Sequence, residues 1–228
     1  MTFDPTHYTA IDAEAIAAYQ AGPGRHPKYR LHTDIGPHPF DGDPCTARVL
    51  LLLSNPGHDE TSTPADHAFE RDGWPFSSLH PEATPGMRSW SLPKVRDLVA
   101  AFGAQRVSQR VALVQVHPWA SAAFDDRLRL PSMAGQVELV RAAIERGAVV
   151  VIGRNARYWR AALGDMGDAL PACRNARNPT LNAGNLPPGI YEALRAALLN
   201  DPVREGPGAE QYVTPEIITQ QAARRGSQ

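Results

Sequence analysis

Three runs of apolar residues constrain this chain more than any other feature: "VLLLL" at 49–53, the start of "RVALVQVHPW" at 110–119, and "AVVVIG" at 148–153. None of the three alternates apolar with polar residues at its core, so each strand must be buried on both faces. Strands of that kind belong to parallel sheets covered by helices. Helical patterns fall between them: 92–103 with Gly103 as its stop, 133–147, 154–164 and 188–199, the last entered through proline. A further helix is predicted over 10–21, capped in the Asp12 region and closed by Gly22-Pro23. A weak fourth strand is expected from residue 171. The alternation predicts an α/β fold, a three-layer α/β/α sandwich around a short, mainly parallel four-stranded sheet.

The length of 228 residues suits one domain, with its core over about 47–200. The N-terminal helix and a Pro/Gly/His-rich arm without period occupy 1–46. A peripheral tail covers 201–228, with one more short helix expected near Ile217–Ala223. Residues 55–90 form a long irregular stretch, which inside a compact domain signals function or disorder.

Lys and Arg number 23 against 24 Asp and Glu, a formal charge of -1, so nucleic-acid binding would need a local basic patch. The two cysteines, Cys45 and Cys173, cannot build a disulfide framework or a ligated cluster, which suits a reducing cytoplasm. No apolar run approaches membrane-spanning length, and no metal-ligand spacing is recognisable, so neither a membrane, a metal nor a cofactor is expected. The expectation is a cytoplasmic monomer.

In a parallel sheet, ligands bind beyond the carboxyl ends of the strands. Those ends carry Ser54-Asn55-Pro56-Gly57, Gln115-Val116-His117, Gly153-Arg154-Asn155 and Arg177-Asn178-Pro179-Thr180. Taken alone, Asn55-Pro56-Gly57 is an ordinary turn. Phe76 in "GWPFSSLHP" would merely plug a loop onto the core, and Leu181 in "RNPTLNAGNL" would be packing. Glycine-rich phosphate-loop patterns are absent, which disfavours a dinucleotide or P-loop site. The arginines at 154, 157 and 160 share one side of a helix, either a solvated face or a phosphate stripe.

Together, Leu53-Ser54-Asn55-Pro56-Gly57, Pro75-Phe76 with His80-Pro81, and Asn178-Pro179-Thr180-Leu181-Asn182 resemble motifs of the uracil-DNA glycosylase superfamily, closest to its mismatch-specific uracil/thymine branch. The similarity covers roughly 47–200 in outline. It implies a monofunctional N-glycosylase acting on DNA. Asn55 would hold the attacking water and Asn178 would contact the leaving side of the base. Phe76 would stack on the flipped base and Gln115 would read its edge, with Ser54, Gly57 and His58 around it. Leu181 would fill the vacated stack. Thr180, Asn182, Arg174 and Arg177 would contact the DNA. The chain departs from the pattern in three ways. Leu53 replaces the leading glycine, the second motif is one residue shorter, and Gln115 is longer than the usual Asn.

The chemistry is consistent with those residue types. An amide is not a base, but Asn55 can accept a hydrogen bond from water and hold it in line. Asn178 could donate to a base oxygen as negative charge develops. Asp59 or Glu60 could instead supply a true base, although solvated loop charges are the plainer reading of His58, Asp59 and Glu60. Two other readings stand beside the DNA glycosylase. One is hydrolysis or transfer at the glycosidic bond of a free nucleotide, and the other is a non-catalytic base- or nucleotide-binding protein.

Overall fold

The computed structural model describes residues 4–22, 26–58, 63–65 and 70–199. The predicted carboxylates Asp59 and Glu60 and the tail with its short helix lie outside the described residues. Four strands form one sheet: β1 (Phe40–Asp41), β2 (Val49–Leu52), β3 (Val111–Val114) and β4 (Val149–Ile152), in spatial order β1-β3-β2-β4. β2 pairs in parallel with both β3 and β4, in register Leu51↔Leu113 and Leu51↔Val151. β1 pairs antiparallel with β3.

The fourth strand therefore comes from the arm, not from residue 171, where only an isolated Ile152↔Ala172 bridge forms. The arm crosses very close to β3. At Gly42 the backbone takes φ +99°, and a Cβ there would lie 2.4 Å from the Val111 carbonyl oxygen, so glycine is required.

Among the described residues there are seven α-helices: α1 (Pro5–Ala21), α2 (Pro85–Phe102), α3 (Ala104–Arg110), α4 (Ser132–Glu145), α5 (Ala156–Leu163), α6 (Asp165–Asp168) and α7 (Ile190–Leu199). α2 starts earlier than residue 92 because Thr84 caps it, its side chain accepting from the Met87 N–H, and Pro85 occupies the first turn. Pro93 is tolerated inside. No helix among the described residues is long and apolar enough to cross a membrane.

Side chains alternate across the sheet. Leu50, Leu52, Ala112 and Val114 join a core layer with α1, α4 and α5, while Val49, Leu51, Val111 and Leu113 join one with α2, α3 and α7. This is the α/β/α sandwich. Every residue of β2 is fully buried, which explains why its sequence carries no polar alternation.

α1 begins at Pro5, with Asp4 as its cap, accepting from the Thr6 N–H at 2.9 Å. Asp12 does not cap its own helix. It is fully buried and accepts from Trp119 Nε1 at 2.7 Å, from the Ser132 N–H at 2.9 Å and from Ser132 Oγ at 2.6 Å. One carboxylate thus caps α4 and ties α1 to the loop after β3. Asp12→Ala would strand three buried donors. Their desolvation together with the lost charge-assisted bonds should cost about 3 kcal/mol of unfolding free energy, measured by urea titration. A change below about 1 kcal/mol would rule out this linchpin role.

Candidate functional site at the carboxyl ends of the strands

β2 leaves the sheet at a point held from three sides. The Leu53 N–H donates to the Val114 carbonyl at 2.8 Å, the Val116 N–H to Ser54 O at 2.9 Å, and Trp159 Nε1 of α5 to Leu53 O at 3.1 Å. Asn55 follows immediately. Its Nδ2 donates to Pro56 O at 2.8 Å, to Ser121 O at 3.1 Å and to Ser121 Oγ at 2.9 Å. Ser121 Oγ in turn donates to Ala123 O at 3.0 Å, so it serves Asn55 as an acceptor. Backbone carbonyls can only accept, and this fixes which end of the amide faces them. Among the described residues Oδ1 of this half-buried side chain has no hydrogen-bond donor.

Asn55 borders a cavity of about 110 Å³, together with Ser54, Gly57, Trp90, Lys94, Ser121 and Arg154. No acidic side chain lines it among the described residues. Lys94 Nζ sits 3.8 Å from the Trp90 ring centre and donates to the Trp90 carbonyl. Burial pulls the Lys94 pKa down to about 7; the field of Arg154 adds to this and that of Asp41 opposes it. Arg154 donates through Nη2 to the Arg177 carbonyl at 2.7 Å.

Gln115 follows directly on β3 and does not border this cavity. Two residues beyond Leu113, it continues the parity of the layer holding Leu53, Phe76 and Leu181. Its side chain is fully buried, and neither Nε2 nor Oε1 has a partner among the described residues. A buried amide with both ends unpaired is rare and costly, and natural proteins keep such groups for a ligand or a water. His117 is also fully buried. Its Nδ1 accepts from the Trp119 N–H at 3.3 Å, which leaves the proton on Nε2, and its ring stacks on Phe124 at 5.5 Å. Desolvation pushes its pKa down to about 3, so it is neutral and no proton carrier near pH 7.

The other sequence-predicted residues divide sharply. Phe76 is fully buried in the core layer, its N–H donating to Ser108 Oγ at 3.1 Å, and it does not border the cavity. Leu181 is 1% exposed in the same layer, so it is core in this conformation rather than a projecting wedge. His58 stacks on His32 of the arm at 3.3 Å. Asn178, Arg174 and Arg177 are exposed on the loop after Cys173. That loop is held against the strand ends by a close approach: a Cβ on Gly153 would lie 3.0 Å from the Pro179 Cβ.

Buried Asn185 shapes the same loop. It donates to Asn178 O at 3.1 Å and Thr180 O at 3.2 Å and accepts from the Asn175 N–H at 2.7 Å, while Asn182 Oδ1 accepts from the Asn185 N–H at 2.9 Å. Thr180 and Asn182 thus hold the loop's internal form.

Lys94, Ser121 and Asn185 were not singled out from the sequence. Lys94 carried a signal: it falls on the stripe Met87, Ser91, Val95, Leu98 that faces the core. Ser121 carried none.

Comparison of the chain with family models, curated proteins and solved structures returned no match.

Two predictions follow from the buried groups. Gln115→Met removes two unpaired polar atoms at similar volume, so unfolding free energy should hold or rise by about 1 kcal/mol in urea titration. A clear loss of stability would mean that the amide is satisfied. His117 should make the fold acid-sensitive. With a folded pKa near 3 and an unfolded one near 6.5, the unfolded state binds the extra proton, so its contribution is full above 6.5 and lost as pH falls toward 3. Buried Asp41, raised to about 6 by desolvation, acts in the opposite sense, adding stability as pH falls below 6. The stability of the native protein relative to His117→Asn should therefore drop by up to about 1.4 kcal/mol per pH unit below 6.5, read from denaturation at successive pH values.

Proposed function

We propose that the protein is a monofunctional N-glycosylase that hydrolyses the glycosidic bond of a modified, deaminated or mismatched base in DNA. The observation carrying this reading is the fully buried amide of Gln115, without a hydrogen-bond partner among the described residues, directly after β3, the parallel neighbour of the strand that leads to Asn55. An amide offers one donor and one acceptor side by side, the complement of the lactam edge of a pyrimidine or a deaminated purine. Asn55 supports the reading because its fixed Nδ2 leaves Oδ1 to accept from a water, without acting as a base. Exposed Arg174 and Arg177 on the adjoining loop suit phosphate contacts.

The buried state of Phe76 and Leu181 implies that base entry opens the layer around them, with flipping energy of a few kcal/mol offset by stacking and by pairing the Gln115 amide. Asn178, exposed beside Pro179, would approach the leaving base only with that opening. A free-nucleotide substrate is the second reading, favoured by the near-zero net charge.

The test is a base-release screen on single- and double-stranded oligonucleotides bearing uracil, hypoxanthine and hydroxymethylated pyrimidines, with free nucleotides alongside. Asn55→Ala should lower release by roughly 10²–10³-fold through lost water positioning, with little change in substrate binding. Unchanged release by Asn55→Ala would remove Asn55 from the chemistry. Release from nucleotides alone would replace the DNA reading with the second.

A further inference from the structure

Lys94 on α2 and exposed Arg154 at the β4–α5 turn border one cavity, and among the described residues neither forms an ion pair. Among the described residues no carboxylate lines this space, and the field of Arg154 adds to the burial that lowers the Lys94 pKa. Such an arrangement is unfavourable unless an anion completes it.

We propose that Lys94 and Arg154 form a subsite for a phosphate group. The donors are free for it. Lys94 commits one N–H to the Trp90 carbonyl, and Arg154 commits Nη2 to the Arg177 carbonyl, which holds the guanidinium in place and leaves its other N–H groups available. The buried hydroxyl residue Ser54 adds a neutral partner at the same wall. The size also fits: about 110 Å³ is room enough for a phosphate group. Bound phosphate would favour the charged form of Lys94. The subsite does not depend on glycosidic chemistry, and either a DNA phosphodiester or a nucleoside monophosphate could supply the group.

The experiment uses the full chain with inorganic phosphate, a nucleoside 5′-monophosphate and a single-stranded oligonucleotide, followed by calorimetry. Saturable binding of inorganic phosphate is expected, weakened roughly tenfold by either Lys94→Gln or Arg154→Gln and largely kept by Lys94→Arg. Phosphate should also protect Lys94 from acylation, quantified by peptide mass. Preference for the oligonucleotide over the monophosphate, sensitive to both substitutions, would place a phosphodiester there; the reverse order would place a monoester. No saturable phosphate binding, or equal affinity in the Lys94→Gln/Arg154→Gln double variant, would overturn the proposal. No glycosidic bond is broken in this measurement, so its failure and that of the base-release screen are separate.

Discussion

Burial of β2 on both faces and along both edges is the constraint from which the rest follows. With β3 and β4 paired in parallel on either side and helices above and below, no residue of β2 can be polar until the strand has left the sheet. The first side chains free to do chemistry are therefore Ser54 and Asn55. They emerge where backbone groups of both neighbouring strands and the indole of Trp159 already fix the chain. A side chain placed there inherits the rigidity of the sheet, which loops alone do not provide. Asn55 adds its own anchor through Ser121, so the direction of its amide is set before any ligand arrives.

The loops completing the site are tied down by buried polar groups rather than by regular structure. Asp12 joins α1, the Trp119 loop and the start of α4. Asp41 accepts from the hydroxyls of Ser78 and Ser91, binding β1, the Phe76 segment and α2 together. Asn185 organises the loop around Asn178. Each has several protein partners, as a structural polar group should. Gln115 has none among the described residues, and that contrast within one core sets it apart.

How much of this was legible in the sequence depended on whether local composition recorded the physical cause. Double-sided burial writes itself directly into residue choice, so β2, β3 and β4 and the helices between them could be read. β1 could not, because two residues cannot show a period; it exists through the close crossing at Gly42 and the hydrogen bonds of Asp41. The start of α2 falls in the stretch 55–90 that reads as irregular, because the cap at Thr84 decides it. At the site, Asn55 stood out as the polar stop of an apolar run, while its anchor Ser121, 66 residues away, has no local signature. Phe76 and Leu181 were readable as apolar residues in polar loops, but their full burial depends on packing that no spacing encodes.

The two cations near Asn55 impose a condition on the proposed chemistry. Glycosidic cleavage passes through an oxocarbenium-like state, so positive charge grows on the sugar as the bond breaks. A fixed cation about 6 Å from such a charge opposes it by about 3 kcal/mol at an effective dielectric near 20, roughly a hundredfold in rate. The lowered pKa leaves Lys94 only partly charged near neutral pH, which reduces that penalty, and a phosphate held between Lys94 and Arg154 would cancel most of the remainder. The substrate's own phosphate would then do more than anchor it: it would neutralise the field that otherwise works against the reaction. An uncharged nucleoside, bringing no such counter-charge, would meet the barrier in full.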